Sequence, residues 1–106
     1  MAEELAYTIA WTEQAQCDLE RIDRYLRRRS PAAADRVGHA ILARTRTLAQ
    51  FPELGPLRKP DAPWRFLVER PHLIFYRILP AQRTIEIGHV RHGMRDEPTE
   101  DDLAAG

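Results

Sequence analysis

The chain has 106 residues, enough for one compact domain with a single core and too few for two. Its one cysteine, Cys17, rules out an internal disulfide, and no stretch nears the roughly 18 apolar residues of a membrane span, so a soluble cytoplasmic protein is expected. The zero net charge conceals an uneven distribution: from Glu13 to Arg95 sixteen bases face nine acids, a net +7, while the other seven acids lie at the two ends. Fifteen of the bases are Arg, whose planar fork suits bidentate recognition of carboxylate or phosphate, so an acidic peptide or a nucleic acid is a plausible class of partner.

In chain order, Tyr7, Ile9 and Trp11 alternate with Thr8 and Ala10, the pattern of a half-buried strand. Thr12 has the chemistry of a helix N-cap, with Glu13 at the positive end. The helix that follows carries an apolar stripe of Ala15, Leu19, Ile22 and Leu26, with Asp18, Glu20, Arg21, Asp23 and Arg24 expected on its other faces. Cys17 falls away from the stripe and reads as a surface bystander. Ser30-Pro31 marks a second helix start, since Ser caps and Pro is harmless in the first turn. Val37, Ile41, Leu48 and Phe51 form its apolar face, and Pro52 is expected to stop it. Four prolines and Gly55 between Pro52 and Pro63 predict a surface loop.

The last third reads as a meander of three strands. Trp64 to Glu69 and Leu73 to Leu79 flank a turn at Arg70-Pro71, and Thr84 to Arg91 follows a turn at Pro80–Arg83. In the final strand the apolar parity shifts from Ile85 and Ile87 to Val90, which predicts a bulge near Gly88. The expected fold is α+β, in the order β-α-α-β-β-β, with a helical hairpin packed on one face of an antiparallel sheet. The other face is expected to be open, edged by Arg and His residues. We read residues 1–97 as one domain and 98–106 as an acidic flexible tail.

Several stretches resemble ParE/RelE toxins of type II toxin-antitoxin systems. In the helical half they are Ala15, Asp18-Leu19, Ile22, Tyr25-Leu26, Ser30-Pro31-Ala32-Ala33-Ala34, Leu48, Pro52 and Gly55. In the strand half they are Arg65-Phe66-Leu67-Val68, Leu73-Ile74-Phe75-Tyr76-Arg77, Ile85-Glu86-Ile87 and Val90-Arg91-His92-Gly93-Met94-Arg95-Asp96. The resemblance implies a toxin neutralised by a cognate antitoxin. It also implies one of two activities on a single fold: poisoning of DNA gyrase, as in ParE, or ribosome-dependent cleavage of messenger RNA, as in RelE. In the RNA-cleaving branch a basic residue commonly stands three positions before the strand Tyr. Here that Tyr is Tyr76 and the position is Leu73, so the resemblance points to the ParE branch, with the endoribonuclease as the alternative and no catalytic residue assigned.

Arg91, His92 and Arg95 form a candidate target-binding or toxicity patch, which could equally be a solvated strand end. Arg65 and Arg77 interrupt apolar runs, either as contacts for an antitoxin carboxylate or target phosphate, or as partners of Glu69 or Glu86. His39 and His72 read as surface or boundary residues. No cofactor is expected, and no metal, because His89 and His92 stand three apart without a further ligand set.

Overall fold

A computed structural model describes residues 6–93. Strand β1 (Thr8–Trp11) leads into helix α1 (Glu13–Arg29) and helix α2 (Pro31–Arg46), and a 3-10 turn, Thr47–Ala49, closes the helical half. Strands β2 (Trp64–Glu69), β3 (His72–Leu79) and β4 (Thr84–His92) complete the order expected from sequence. The sheet runs β1-β4-β3-β2.

The meander is antiparallel, as expected, whereas β1 joins its edge in parallel with β4, Thr8 opposite Thr84 and Trp11 opposite Ile87. A parallel pair needs a long crossover, which the helices and the first two meander strands provide. Gly88 is the additional residue on β4: Phe75 pairs with His89 and Tyr76 with Ile87, so the bulge falls where the parity shift placed it.

The caps act as the sequence suggests. The Thr12 hydroxyl accepts from the Ala15 amide at 3.1 Å. Ser30 serves both helices, its amide donating to the Leu26 carbonyl at 2.8 Å and its hydroxyl accepting from the Ala33 amide at 3.1 Å. Helix α2 stops at Arg46, earlier than Pro52, so Phe51 leaves the apolar face and is exposed.

The main core lies between the hairpin and the sheet, built on Ile41, Leu48, Ile74, Tyr76, Ile85 and Ile87, with Leu19, Ile22, Ile9 and Trp11 packed against it. Each fully buried aliphatic side chain there contributes roughly 1.5–3 kcal/mol. A second cluster joins Trp64 and Phe75 to Phe66 and Leu73. The Trp64 ring lies so close to the Gly88 backbone that a Cβ at Gly88 would stand 2.6 Å from it. The sheet face away from the main core carries aromatic rings, with Arg77 stacked over Trp64 at 5.1 Å and Arg58 over Phe75 at 6.0 Å. Among the described residues no helix is long and apolar enough to cross a membrane.

Candidate functional site

Strand β1 pairs with β4 only as far as Ile87, so the outer edge of β4 beyond it needs another partner. Helix α1 supplies it. The Thr12 amide and hydroxyl both donate to the Ile87 carbonyl, at 3.1 and 3.0 Å, and one Asp18 carboxylate oxygen accepts from the Val90 amide at 3.1 Å. Asp18 lies off the apolar stripe, yet it is only 1 % exposed. Its other oxygen accepts from Gln14 Nε2 at 2.9 Å and stands 3.5 Å from Arg21 Nη1, so the buried charge is hydrogen-bonded and paired.

His89, also 1 % exposed, places Nδ1 3.6 Å from Asp18 and 3.2 Å from Arg91 Nη2. A guanidinium can only donate, so in its contact with Arg91 the Nδ1 atom is the acceptor. Asp18 and His89 thus fix the bulged end of β4 and the Arg91 side chain that follows it.

This end of β4 forms one wall of a groove of about 370 Å³ against α1 and α2. Ile22, Leu26, Val37 and Val90 give it an apolar lining, and Arg21, Tyr25, His72, Arg91 and His92 supply its polar and aromatic groups. Tyr25 is 56 % exposed, with the Arg29 guanidinium 4.0 Å from its ring centroid. His72 is 7 % exposed and its Nδ1 has no hydrogen-bond partner; the buried Arg91 Nε likewise has none. The His72 and His92 rings meet edge to face at 6.0 Å. Burial, and then the neighbouring His92, lower the His72 pKa from its ordinary 6.5, while Glu69 opposes the shift. The groove combines an apolar floor with permanent guanidinium charges, which suits an apolar segment carrying carboxylates or phosphates.

Of the residues proposed from sequence, Arg91 and His92 come together in this groove, and Arg95 lies outside the described residues. Arg65 and Arg77 stand elsewhere. Arg65 Nη1 donates to the Gly55 carbonyl at 2.8 Å, with Nη2 3.8 Å from Glu53, and Arg77 Nε donates to Glu86 at 2.6 Å. Glu86 is thus the acid that Arg77 takes. Sequence reasoning missed Asp18, Arg21, Tyr25 and His72 as groove residues. One signal was available: at 100° per residue Asp18 sits about 60° from Ala15 and about 40° from Ile22, beside the edge of the apolar stripe of α1 rather than opposite it.

Tyr76 has a different role from the groove residues. Its hydroxyl donates to the Pro52 carbonyl at 2.8 Å and accepts from the Gly55 amide at 2.9 Å, tying the proline-rich loop to the core. Burial pushes its pKa above the usual phenol range.

Two solved structures share this arrangement of hairpin and sheet. A chain of the RelBE2 toxin-antitoxin complex from Mycobacterium tuberculosis matches with a TM-score of 0.63 at 24 % identity, covering 82 % of this chain and 91 % of that one. A chain of the chromosomal ParDE system from P. aeruginosa matches with a TM-score of 0.67 at 26 % identity, covering 83 % and 97 %. Toxin RelE3 of Caulobacter vibrioides is 31 % identical over 83 residues, which span 76 % of this chain and 88 % of that protein. The family model for the ParE toxin of the type II toxin-antitoxin system parDE matches residues 9–97. These matches place the chain in the ParE/RelE toxin superfamily. Within it, the chain belongs to the ParE toxin family of type II toxin-antitoxin systems.

Proposed function

We propose that this toxin acts by binding DNA gyrase in the cytoplasm rather than by cutting RNA, and that a cognate antitoxin neutralises it by laying an apolar, acidic segment into the groove between α1 and β4. The observation that carries the gyrase reading is how the strand residues are used. Leu73 packs with Trp64 and Phe75, the Tyr76 hydroxyl is occupied by two backbone partners, and Arg77 is paired with Glu86. An RNA-cleaving site must hold a base, an acid and a phosphate-stabilising cation around one reacting atom. The sheet face bearing Leu73 offers aromatic rings instead.

The antitoxin reading rests on the groove's chemistry and on the toxin-antitoxin systems to which the similar structures belong. Arg91 and His92, together with Arg95, serve in this reading as binding contacts for target or antitoxin.

The messenger-cleaving alternative has one observation in its favour. His72 stands beside His92 with Arg91 and Arg21 in the same groove, so two imidazoles and two cations share one site. Expression in a bacterial host, following DNA breakage and messenger cleavage side by side, tests the two. The gyrase reading expects DNA breakage with intact messengers, and alanine at Arg91 or His92 weakening toxicity in a graded way. Complete loss at His72→Gln or His92→Gln, together with cut messengers, favours the nuclease.

A further inference from the structure

The groove lies at the point where the described chain ends. His92 is one of its wall residues, and the next residue, Gly93, is held to the β2–β3 turn by its amide donating to the Pro71 carbonyl at 2.8 Å. Thirteen more residues follow, with Asp96, Glu97, Glu100, Asp101 and Asp102 as five acids and Leu103 directly after them. At about 3.3 Å per extended residue, Asp96 to Leu103 lie within roughly 10–33 Å of chain from Gly93, ample to cover the groove beside it.

The groove's permanent cations are Arg21 and Arg91. Against these two cations the groove lining holds one carboxylate, Asp18, which stands 3.5 Å from Arg21 Nη1 and also accepts from the Val90 amide and Gln14. The Arg91 guanidinium is held by its Nη2 contact with His89 at 3.2 Å, which leaves it without a carboxylate of its own among the hydrogen bonds of the described residues. Ile22, Leu26, Val37 and Val90 offer an apolar seat to a leucine.

We propose that residues 96–103 of this chain occupy its own groove in the absence of a partner, the acids set against Arg21 and Arg91 and Leu103 set on the apolar floor. The proposal rests on reading the groove as a seat for an acidic, apolar peptide. It makes the tail an internal stand-in for the antitoxin segment, which then has to displace it. The local concentration of a tethered segment is in the millimolar range for short linkers, so even weak intrinsic affinity fills the site.

The test uses the full chain carrying Cys17→Ser and Ala104→Cys, with a nitroxide at position 104 and amide signals read by NMR. Ile22, Leu26 and Val37 are the reporters, because they lie far from the tail in sequence. Docking is expected to weaken their signals by more than half. The same label in a chain with the five acids changed to Asn or Gln is expected to restore them, as is salt at about 1 M, where the screening length falls to about 3 Å. Quenching that survives neutralisation reflects tethering alone and overturns the proposal. So does the absence of quenching, or quenching centred on the exposed Phe51 and Leu54. Quenching passed from labelled to unlabelled chains in a mixture also overturns it, by assigning the groove to a second copy. No antitoxin or target enters this measurement, so an antitoxin that binds elsewhere leaves its result unchanged.

Discussion

Tyr76 illustrates how a side chain that invites a catalytic reading can serve the fold. Replacing it by Phe keeps the ring in the core and strands the Gly55 amide and the Pro52 carbonyl. Leaving such buried groups unpaired costs about 1–3 kcal/mol, so Tyr76→Phe is expected to lower stability in urea by that amount while toxicity persists wherever the chain stays folded. Gly88 makes a similar point through space rather than hydrogen bonding. A methyl group there meets the Trp64 ring at 2.6 Å, and overpacking of this kind costs typically about 1–3 kcal/mol, so Gly88→Ala is expected to destabilise, read as a lowered unfolding midpoint.

His72 gives a pH signature. Its folded pKa is depressed below 6.5, so the unfolded chain binds the proton more readily. The contribution is fully present above about 6.5 and is lost as pH falls from there through the folded pKa. Unfolding midpoints measured across this window are expected to fall on acidification, and His72→Gln is expected to flatten that part of the slope. An unchanged slope in the variant assigns the titration to another group.

At the scale of elements, the parallel β1–β4 pair stops short and α1 finishes the edge with a side chain. Asp18 does for Val90 what a longer β1 would do with a carbonyl, and it steadies the β4 end on which Arg91 and His92 stand. Asp18→Ala is expected to cost about 1–3 kcal/mol by leaving the Val90 amide unpaired, and to speed hydrogen exchange at Val90. Asp18→Asn, which keeps an acceptor, is expected to cost less and to hold that amide protected.

Much of this level is legible in the sequence. The caps at Thr12 and Ser30, the order of elements and the bulge at Gly88 follow from local chemistry and periodicity, which depend on near neighbours. The direction of β1 does not, because period-two alternation looks the same in parallel and antiparallel pairs. Nor does the end of α2: Leu48 is buried and Phe51 is not, since the helix tightens into a 3-10 turn after Arg46 and the apolar repeat runs past its end. The sequence places Asp18 off the apolar stripe, yet its partner is an amide 72 positions away, a relation that only the tertiary fold creates. The groove was half legible: Arg91 and His92 belong to a recognisable strand ending, whereas His72, Arg21 and Tyr25 reach it from other elements.

For the whole molecule, the buried hydrophobic residues of the described chain lie between Ala15 and Val90, so the fold's driving force is contained in the part that matches the ParE toxin family. Removing residues 98–106 is therefore expected to leave unfolding a single cooperative transition. A broad or multi-step transition in the truncated chain counts against this. Family membership establishes a toxin of a type II toxin-antitoxin system, and the choice of target rests on strand chemistry, where Leu73, Phe75 and Trp64 form an apolar face and Arg77 is held by Glu86. The most direct measurement is gyrase-catalysed DNA supercoiling in vitro with the purified toxin. The account expects supercoiling to be inhibited in proportion to toxin, and the inhibition to be reversed by an antitoxin that fills the groove. Unimpaired supercoiling, with the same preparation cutting messenger RNA on ribosomes, would contradict it.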